Sequence, residues 1–267
     1  MEKEGKIIVN QYSLASYYVE VMFNEMKLSN ATCFFTNKNG KLYLITNWHV
    51  VSGRDADTFG LLDSNGAIPN ILRVYLAEEN EEGIQFSDNS YINIKLYDEE
   101  GNKLWYELKK NDRMVDIVAI PMVNIIDKYY MPIEDAEEPF NELSDIEITS
   151  EIYIIGFPFG KIGGEIPIWK KASVASEPEL DIEGMPYYYA DTATKPGMSG
   201  SPVILYEDRP IKFLDKKKNK FSSHITKLVG VYSGRIGANT GNKYDAQLGR
   251  VWKVNMIQEI INIYEGA

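Results

Sequence analysis

The sequence contains little cysteine, little histidine and fewer basic than acidic residues. Its single cysteine, Cys33, cannot form an internal disulfide. No apolar run approaches the roughly 18 consecutive residues of a membrane-spanning helix, and residues 1–6 lack the apolar stretch of a secretory signal. Lys and Arg total 28 against 39 Asp and Glu, a net charge of -11 that disfavours binding to nucleic acid. We therefore expect a cytoplasmic protein with no membrane or nucleic-acid partner.

The composition is nevertheless that of a folded protein with a substantial core. Hydrophobic residues make up 44% of the 267 residues, and 18 of them are Tyr. In the first half, short runs rich in Ile, Val, Tyr and Phe alternate with Gly-bearing turns, a pattern typical of β-structure. The pattern predicts two hairpins and one buried strand, at 32–35 with 42–46, 92–97 with 103–108, and 115–120.

The second half reads as further β-structure that ends in a helix. An acidic, Pro-bearing stretch at 132–142 predicts a connector, which divides the chain into units at 1–131 and 143–267. The helical spacing of apolar residues at 254–264 predicts a terminal helix. Strands in this half are predicted at 152–155, 168–175, 187–190, 202–206 and 227–232.

A turn of small residues around Ser199 is the sharpest local feature. Glycines at 197 and 200 flank Met198 and Ser199, and the strand-like run 203–205 follows. Such a turn can expose the Ser199 hydroxyl and direct the amides of Gly197 and Ser199 at one developing oxyanion. Taken alone, the same residues also fit an ordinary Gly/Ser turn.

A serine nucleophile needs a general base, and the chain has only two histidines. His49 directly follows a predicted strand, whereas His224 lies in a polar run that predicts a surface or strand-edge position. The imidazole also needs a carboxylate, and Asp116 heads the apolar run 117–120. Asp116 could instead cap a strand end, and Asp112 is the nearest substitute.

The order of these three residues distinguishes between serine-hydrolase folds. An α/β-hydrolase has the order Ser, acid, His and a G-x-S-x-G elbow. Here the order is His49, Asp116, Ser199, and Ser201 stands where the second elbow glycine would be. The order is therefore that of the chymotrypsin type.

The motifs around these residues resemble those of the bacterial trypsin-like peptidases, which have the chymotrypsin fold. The resemblance extends over roughly residues 33–250 and implies a double six-stranded β-barrel with a C-terminal helix. The first barrel would carry His49 and Asp116, and the second would carry Ser199. The matching segments are the histidine motif 46–51, the aspartate motif 116–120, the serine motif 197–202, and the runs 154–160 and 228–234.

The resemblance also implies where a substrate binds. The base of the primary pocket falls near Ala193 and Thr194, and the strand 232–235 pairs with the substrate backbone. Within that strand, Tyr232, Gly234 and Arg235 would line the pocket, and Ser233 could bind the Asp116 carboxylate. No acid lies at the base, so a preference for Lys or Arg is not expected, and small apolar and acidic preferences both stay open.

These residues predict a serine endopeptidase that acts through an acyl-enzyme. The predicted mechanism needs no metal and no cofactor, and its partner is a peptide or protein substrate, with an activating partner left open. Two alternatives use the same fold: a non-proteolytic module that binds a peptide by strand addition, and an esterase. The first would lack an accessible nucleophile, whereas the second would share all three residues.

Overall fold

The computed structural model describes residues 9–80, 83–123, 125, 128–137, 145–160, 166–215, 220–235 and 247–266, without the side chains of 80, 209–215 and 220–224. Within these residues, most of the regular structure is β, and none of the helices is long and apolar enough to cross a membrane. Residues 138–142 of the predicted connector lie outside the described residues. The division into units at 1–131 and 143–267 stays a prediction.

Ten strands lie in the first half of the chain. Six of them form one antiparallel sheet in the order β10-β3-β2-β1-β4-β7, and two further pairs, β5 with β6 and β8 with β9, form small hairpins. The strands are β1 (Ser16–Phe23), β2 (Met26–Lys38), β3 (Lys41–Thr46), β4 (Ile71–Tyr75), β5 (Glu78–Asn80), β6 (Gly83–Gln85), β7 (Tyr91–Lys95), β8 (Lys109–Lys110), β9 (Arg113–Met114) and β10 (Val118–Met122).

Six strands in the second half close into a barrel. Their order around the barrel is β11-β12-β13-β16-β15-β14, and all pairs are antiparallel. These strands are β11 (Glu151–Gly156), β12 (Ile168–Val174), β13 (Tyr187–Asp191), β14 (Pro202–Asp215), β15 (Lys220–Arg235) and β16 (Leu248–Lys253). The predicted chymotrypsin-like fold class is confirmed, with the difference that the first sheet is open at β7 and β10 in the described residues.

Four helices accompany the strands: α1 (Gln11–Leu14), α2 (Trp48–Ser52), α3 (Ile133–Ala136) and α4 (Asn255–Glu265). Only α4 is predicted from the sequence. Its buried face carries Met256, Ile257, Ile260 and Ile261, at the spacing of one side of a helix. Near its end, Tyr264 stacks on Tyr106 with ring centroids 4.3 Å apart. The terminal helix therefore packs against the first half of the chain.

One predicted hairpin is confirmed and the other is only partly formed. Strands β2 and β3 join through Asn39 and Gly40, whose φ values of 53° and 75° are those of a tight hairpin turn. The chain also turns after β7, but 103–108 forms no continuous strand. Lys103 bridges Tyr97, and Tyr106 then bridges Ala119 beside β10. The prediction of a strand at 103–108 is wrong because these residues divide their pairing between two partners.

The buried threonine Thr32 joins the first sheet to the second barrel. Its amide donates to the Ser199 carbonyl at 2.8 Å, and its hydroxyl donates to the Gly197 carbonyl at 2.8 Å. The same hydroxyl accepts the Phe157 amide at 3.2 Å, and the Thr32 carbonyl accepts the Thr46 hydroxyl at 2.9 Å. Every polar group of this buried residue is thus bonded, and three of its four hydrogen bonds reach the second half of the chain.

We expect Thr32→Val to lower the free energy of unfolding by about 1 to 3 kcal/mol, because it leaves two buried partners of the hydroxyl unpaired. Thr32→Ser keeps the hydroxyl and removes only a methyl group, so it should cost about 1 kcal/mol. Urea unfolding of the three proteins measures the difference. If the valine variant were as stable as the serine variant, the Thr32 hydroxyl would contribute nothing to the contact between the first sheet and the second barrel.

Candidate active site

His49 lies in a short helix at the end of a strand. β3 ends at Thr46, Asn47 follows in an extended conformation, and helix α2 begins at Trp48. The helix ends after one turn because Gly53 adopts a left-handed conformation with φ 64° and donates its amide to the His49 carbonyl at 3.0 Å. This sharp turn leaves the His49 side chain 21% exposed at the rim of the sheet.

Asp116 binds His49 at two points. One carboxylate oxygen accepts the His49 backbone amide at 2.9 Å, and the other lies 2.7 Å from Nδ1 of the imidazole. Asp116 is only 3% exposed. The Asn47 side-chain amide donates to the Asp116 carbonyl at 2.7 Å. The structure therefore brings together the two residues that the sequence pairs, and a buried carboxylate fixes the orientation of the imidazole.

The alternative acid, Asp112, lies elsewhere. It is exposed in the turn between β8 and β9, with a φ of 58°. Its position explains its identity, because aspartate tolerates the left-handed conformation that this tight turn requires. Asp112 makes no contact with His49 within the described residues.

The charge of Asp116 determines the protonation of His49. Burial alone would lower the pKa of His49, but the negative charge of Asp116 and its hydrogen bond outweigh burial. The pKa of His49 is therefore raised above its ordinary value of 6.5. Arg250 acts in the opposite direction and moderates the increase.

Ser199 lies in a tight turn just before β14. Gly197 and Gly200 have φ values of 102° and 83°, which favour glycine. A Cβ atom at Gly200 would overlap the Thr32 carbonyl oxygen and the Thr46 hydroxyl. The Gly200 amide also donates to the Tyr232 carbonyl at 2.9 Å. These contacts hold the Ser199 turn against strands from both halves of the chain.

The backbone beside Ser199 offers two free amides. Within the described residues, the amides of Gly197 and Ser199 donate to no other group. The preceding Pro196 carbonyl accepts the Phe159 amide at 2.9 Å. Because a trans peptide directs its carbonyl and amide in opposite directions, this bond turns the Gly197 N–H away from Phe159. The two amides are therefore available as candidate oxyanion donors.

His49 and Ser199 border one cavity of about 290 Å³. The cavity continues away from both residues along the ends of β1 and β2 and the segment 53–69. The candidate base and the candidate nucleophile therefore face the same space. His224, the other histidine, lies in β15 opposite Asp208, and its side chain is outside the described part of the chain.

The predicted pocket residues lie together at the end of the second barrel. Thr194 and Tyr232 are buried, and their hydroxyl groups hydrogen-bond to each other. The Tyr232 ring packs on Gly249, where a Cβ atom would lie 2.5 Å from ring atom Cε2. Ala193 is exposed, and Arg235 is half-buried where β15 pairs with Gly249 of β16. Tyr232 therefore fills the space behind these residues.

The positive charge of Arg235 lies beside the neutral phenol of Tyr232 in this region. Burial raises the pKa of Tyr232 to about 12, and the Thr194 hydrogen bond and the positive charge of Arg235 partly oppose that effect. Arg235 forms no ion pair with any residue that the structure describes. The phenol thus stays neutral at ordinary pH and keeps a proton, while the guanidinium beside it has no described acidic partner.

Ser233 differs from its expected role. Its hydroxyl accepts a hydrogen bond from the Trp252 indole at 3.1 Å. No hydrogen bond joins Ser233 to Asp116 in the described ranges. Gly234 has a φ of 114°, so the strand twists sharply immediately after Ser233. The Asn47 side chain contacts Asp116 instead, at its backbone carbonyl rather than its carboxylate.

Sequence reasoning missed one ionic bridge near the site. Asp57 accepts hydrogen bonds from Arg113 and Arg250, each at 3.0 Å, and Arg250 lies over the Tyr187 ring. The bridge ties the segment after His49 to strand β16. A lone Asp in a polar loop gives no signal of such a contact, because both arginines are distant in sequence. Among the described residues, no cluster of three or more His, Cys, Asp or Glu could hold a metal ion.

Comparisons with known proteins found similar solved structures and one matching family. The chain is similar in structure to the Rv3671c protease in its inactive form, with 13% identity and a TM-score of 0.47 over 94% of this chain and 89% of that one. It is also similar to the active form of the Rv3671c protease from M. tuberculosis, with 13% identity and a TM-score of 0.48 over 94% and 81% of the two chains.

A third similar structure is the serine endoprotease from Yersinia pestis, with 11% identity and a TM-score of 0.49 over 97% of this chain and 67% of that one. No curated protein matches the chain. The sequence profile of the trypsin-like peptidase domain matches residues 31–211, which is more than half of the chain and includes His49, Asp116 and Ser199. The chain therefore belongs to the trypsin-like peptidase family of serine hydrolases.

Proposed function

We propose that this trypsin-like peptidase is an endopeptidase whose nucleophile is Ser199. His49 removes the Ser199 proton as the hydroxyl oxygen attacks the scissile carbonyl, and the amides of Gly197 and Ser199 bind the resulting oxyanion. His49 then gives the proton to the leaving amine, and the acyl group stays on Ser199. Water activated by His49 hydrolyses this ester and releases the second product.

The observation that carries this proposal is the double contact between His49 and Asp116. A carboxylate that accepts both the His49 amide and Nδ1 fixes the ring and leaves Nε2 as the proton acceptor. The space that Nε2 can reach is the cavity that Ser199 also borders. Burying the Asp116 carboxylate costs free energy, and the hydrogen bond with His49 compensates for part of that cost. This pairing argues against a purely structural role for Asp116.

We further propose that the primary pocket takes an acidic side chain. Tyr232 fills the space behind Thr194, and the donors in this region are the one hydroxyl proton that the Thr194–Tyr232 pair leaves free and the Arg235 guanidinium. A carboxylate would give Arg235 the partner that it lacks among the described residues. Ala193 and Gly234 would then form the sides of the pocket, and the backbone of 232–235 would pair with the substrate.

The first prediction concerns the Ser199 and His49 pair. Ser199→Ala and His49→Ala should each remove nearly all turnover of a peptide substrate, and the double variant should lose little more, because the two residues act as one unit. Steady-state kinetics and covalent labelling of Ser199 by a fluorophosphonate measure the effect. His224→Ala is the control and should change kcat by less than about threefold. Independent, multiplicative losses would contradict the pairing.

The second prediction concerns pH. Only neutral His49 accepts the serine proton, so kcat/KM should rise with pH through the pKa of His49, with a midpoint above 6.5 because that pKa is raised. Asp116→Asn removes the charge that raises the pKa, so the midpoint should move to lower pH while kcat falls about 10⁴-fold. An NMR titration of the imidazole in Ser199→Ala and Ser199→Ala/Asp116→Asn follows the shift directly. An unchanged midpoint would refute the assigned partner.

The third prediction concerns the pocket. Substrates with Glu or Asp before the scissile bond should be cleaved about tenfold faster than those with Ala, because a partly desolvated charged hydrogen bond contributes about 1.5 to 3 kcal/mol. Arg235→Ala should abolish this preference, and Arg235→Lys, which keeps the charge, should retain part of it. Profiling a peptide library tests all three proteins. A small-apolar preference that is unchanged in Arg235→Ala would mean that Ala193 and Tyr232 close the pocket.

A further inference from the structure

The cavity beside His49 lies on one side of Ser199. Its walls come from the ends of β1 and β2, from helix α2 and from the segment 53–69, and among the described residues of the second half only Ser199 borders it. The candidate pocket residues at 193, 194 and 232–235 are all described, and none of them borders it. The cavity is therefore separate from the primary pocket.

The chemistry of the proposed reaction determines which part of a substrate reaches this cavity. The acyl part must face the Gly197 and Ser199 amides and the strand 232–235. The leaving amine must lie next to His49, because His49 protonates it. The cavity borders His49 and is separate from the primary pocket. It therefore receives the residue that follows the scissile bond.

Apolar side chains form one part of the cavity wall, beside polar ones. Leu28 and Leu62 face it together with Val21, Ala67 and Pro69, and Leu62 is 49% exposed without a substrate. The Leu62 amide donates to the Gly53 carbonyl at 2.9 Å, which fixes Leu62 beside the helix that carries His49. An apolar substrate side chain would cover Leu62 and remove apolar surface from water.

The charge in the cavity is negative. Asp63 is the one charged wall residue apart from His49, and its carboxylate accepts the amides of Asn65 and Ala67 at 2.9 and 3.1 Å. The described walls include no Lys or Arg. An acidic side chain would meet Asp63 without a compensating cation, so the cavity disfavours it.

Asn30, in the wall of the cavity, carries a hydrogen-bond donor without an acceptor. Its side-chain Nδ2 is buried and has no partner among the described residues. A Cβ atom built on Gly197 would lie 2.5 Å from Nδ2, so this donor lies against the turn that presents Ser199. Burying an amide N–H without an acceptor costs free energy, which a ligand can recover by supplying a carbonyl oxygen. Rotation about the last side-chain bond turns the donor toward the cavity, since that torsion is soft.

We propose that this cavity is a substrate subsite that selects an apolar side chain directly after the scissile bond, with the Asn30 amide binding a carbonyl oxygen of the leaving segment. The assignment rests on the proposed function, because the cavity is assigned to the leaving segment only if His49 protonates the leaving amine. Leu62 and Leu28 supply the apolar contact, Asp63 disfavours acids, and Asn30 supplies the polar contact. The ligand is thus the amino-terminal end of the second product.

The test uses substrates that differ only after the scissile bond. One acyl sequence is followed by Leu, Gly or Glu in three peptides, and a fourth substrate is the methyl ester of the same acyl sequence, which has no residue in the cavity. The wild-type enzyme should cleave the Leu peptide about tenfold faster in kcat/KM than the Gly peptide, and the Glu peptide should be the slowest.

The variants have matched controls. Leu62→Ser should remove most of the preference for Leu, whereas Leu61→Ser, at an equally exposed neighbour that does not border the cavity, should leave it unchanged. Asn30→Leu removes the donor at similar size and should slow all three peptides about fivefold. Leu61→Ser should not alter hydrolysis of the ester by more than about twofold, because Leu61 does not border the cavity.

The outcomes separate this inference from the proposed function. The subsite and the proposed function are both supported if the enzyme hydrolyses the ester, fluorophosphonate labels Ser199, and Leu62→Ser removes the preference for Leu. The subsite is overturned, and the proposed function stands, if the enzyme hydrolyses the ester but cleaves the Leu and Gly peptides equally well. The same conclusion follows if it hydrolyses the ester and Leu61→Ser changes the preference for Leu as much as Leu62→Ser does. A preference for Glu also overturns the subsite. Absence of both labelling and ester hydrolysis overturns the proposed function and the subsite together.

Discussion

The structure depends on the contact between Thr32 and the Ser199 turn. One buried threonine offers an amide, a carbonyl and a hydroxyl, and each is bonded to a group in the Ser199 turn, to Phe157 of the second half or to Thr46 beside His49. Buried polar groups are costly when unpaired, so the two β units fit only in the register that satisfies all of them. That register brings the Ser199 turn and the His49 helix to the same cavity.

A second constraint fixes the charges around His49. Burial lowers the pKa of His49, Asp116 outweighs burial and raises it, and Arg250 from the second half opposes Asp116 to a smaller extent. Arg250 is held by Asp57 from the segment after His49 and by stacking over the Tyr187 ring. Separation of the two β units would remove Arg250 from His49 and break the Asp57 bridge. The electrostatics of the candidate site therefore belong to the assembled fold.

Local patterns in the sequence were sufficient where local physics determines the structure. The pair Asn39 and Gly40 favours a tight turn, so the hairpin of β2 and β3 is predictable from the sequence. Helix α4 is predictable for a similar reason, because the spacing of its apolar residues is a local pattern. Residues 103–108 have the same β pattern, but Tyr106 takes a partner in β10 that only the tertiary structure supplies. The motifs around His49, Asp116 and Ser199 identify candidates, whereas Asn30, Asn47 and Asp57 acquire their contacts from residues that are distant in sequence.

The cleft has two sides, each built by a different part of the chain. The primary pocket comes from the second barrel, whereas the cavity beside His49 comes from the first sheet and the segment 53–69. The two sides meet at the Thr32 contact, at the Asp57–Arg250 pair and at the residues of the proposed reaction. Among the described residues, neither Arg235 nor Leu62 bonds to Thr32 or Asp116, so a substitution at either should change recognition on its own side without disturbing the reacting groups. In the proposed enzyme, selection of the residue before the scissile bond is thus separable from selection of the residue after it.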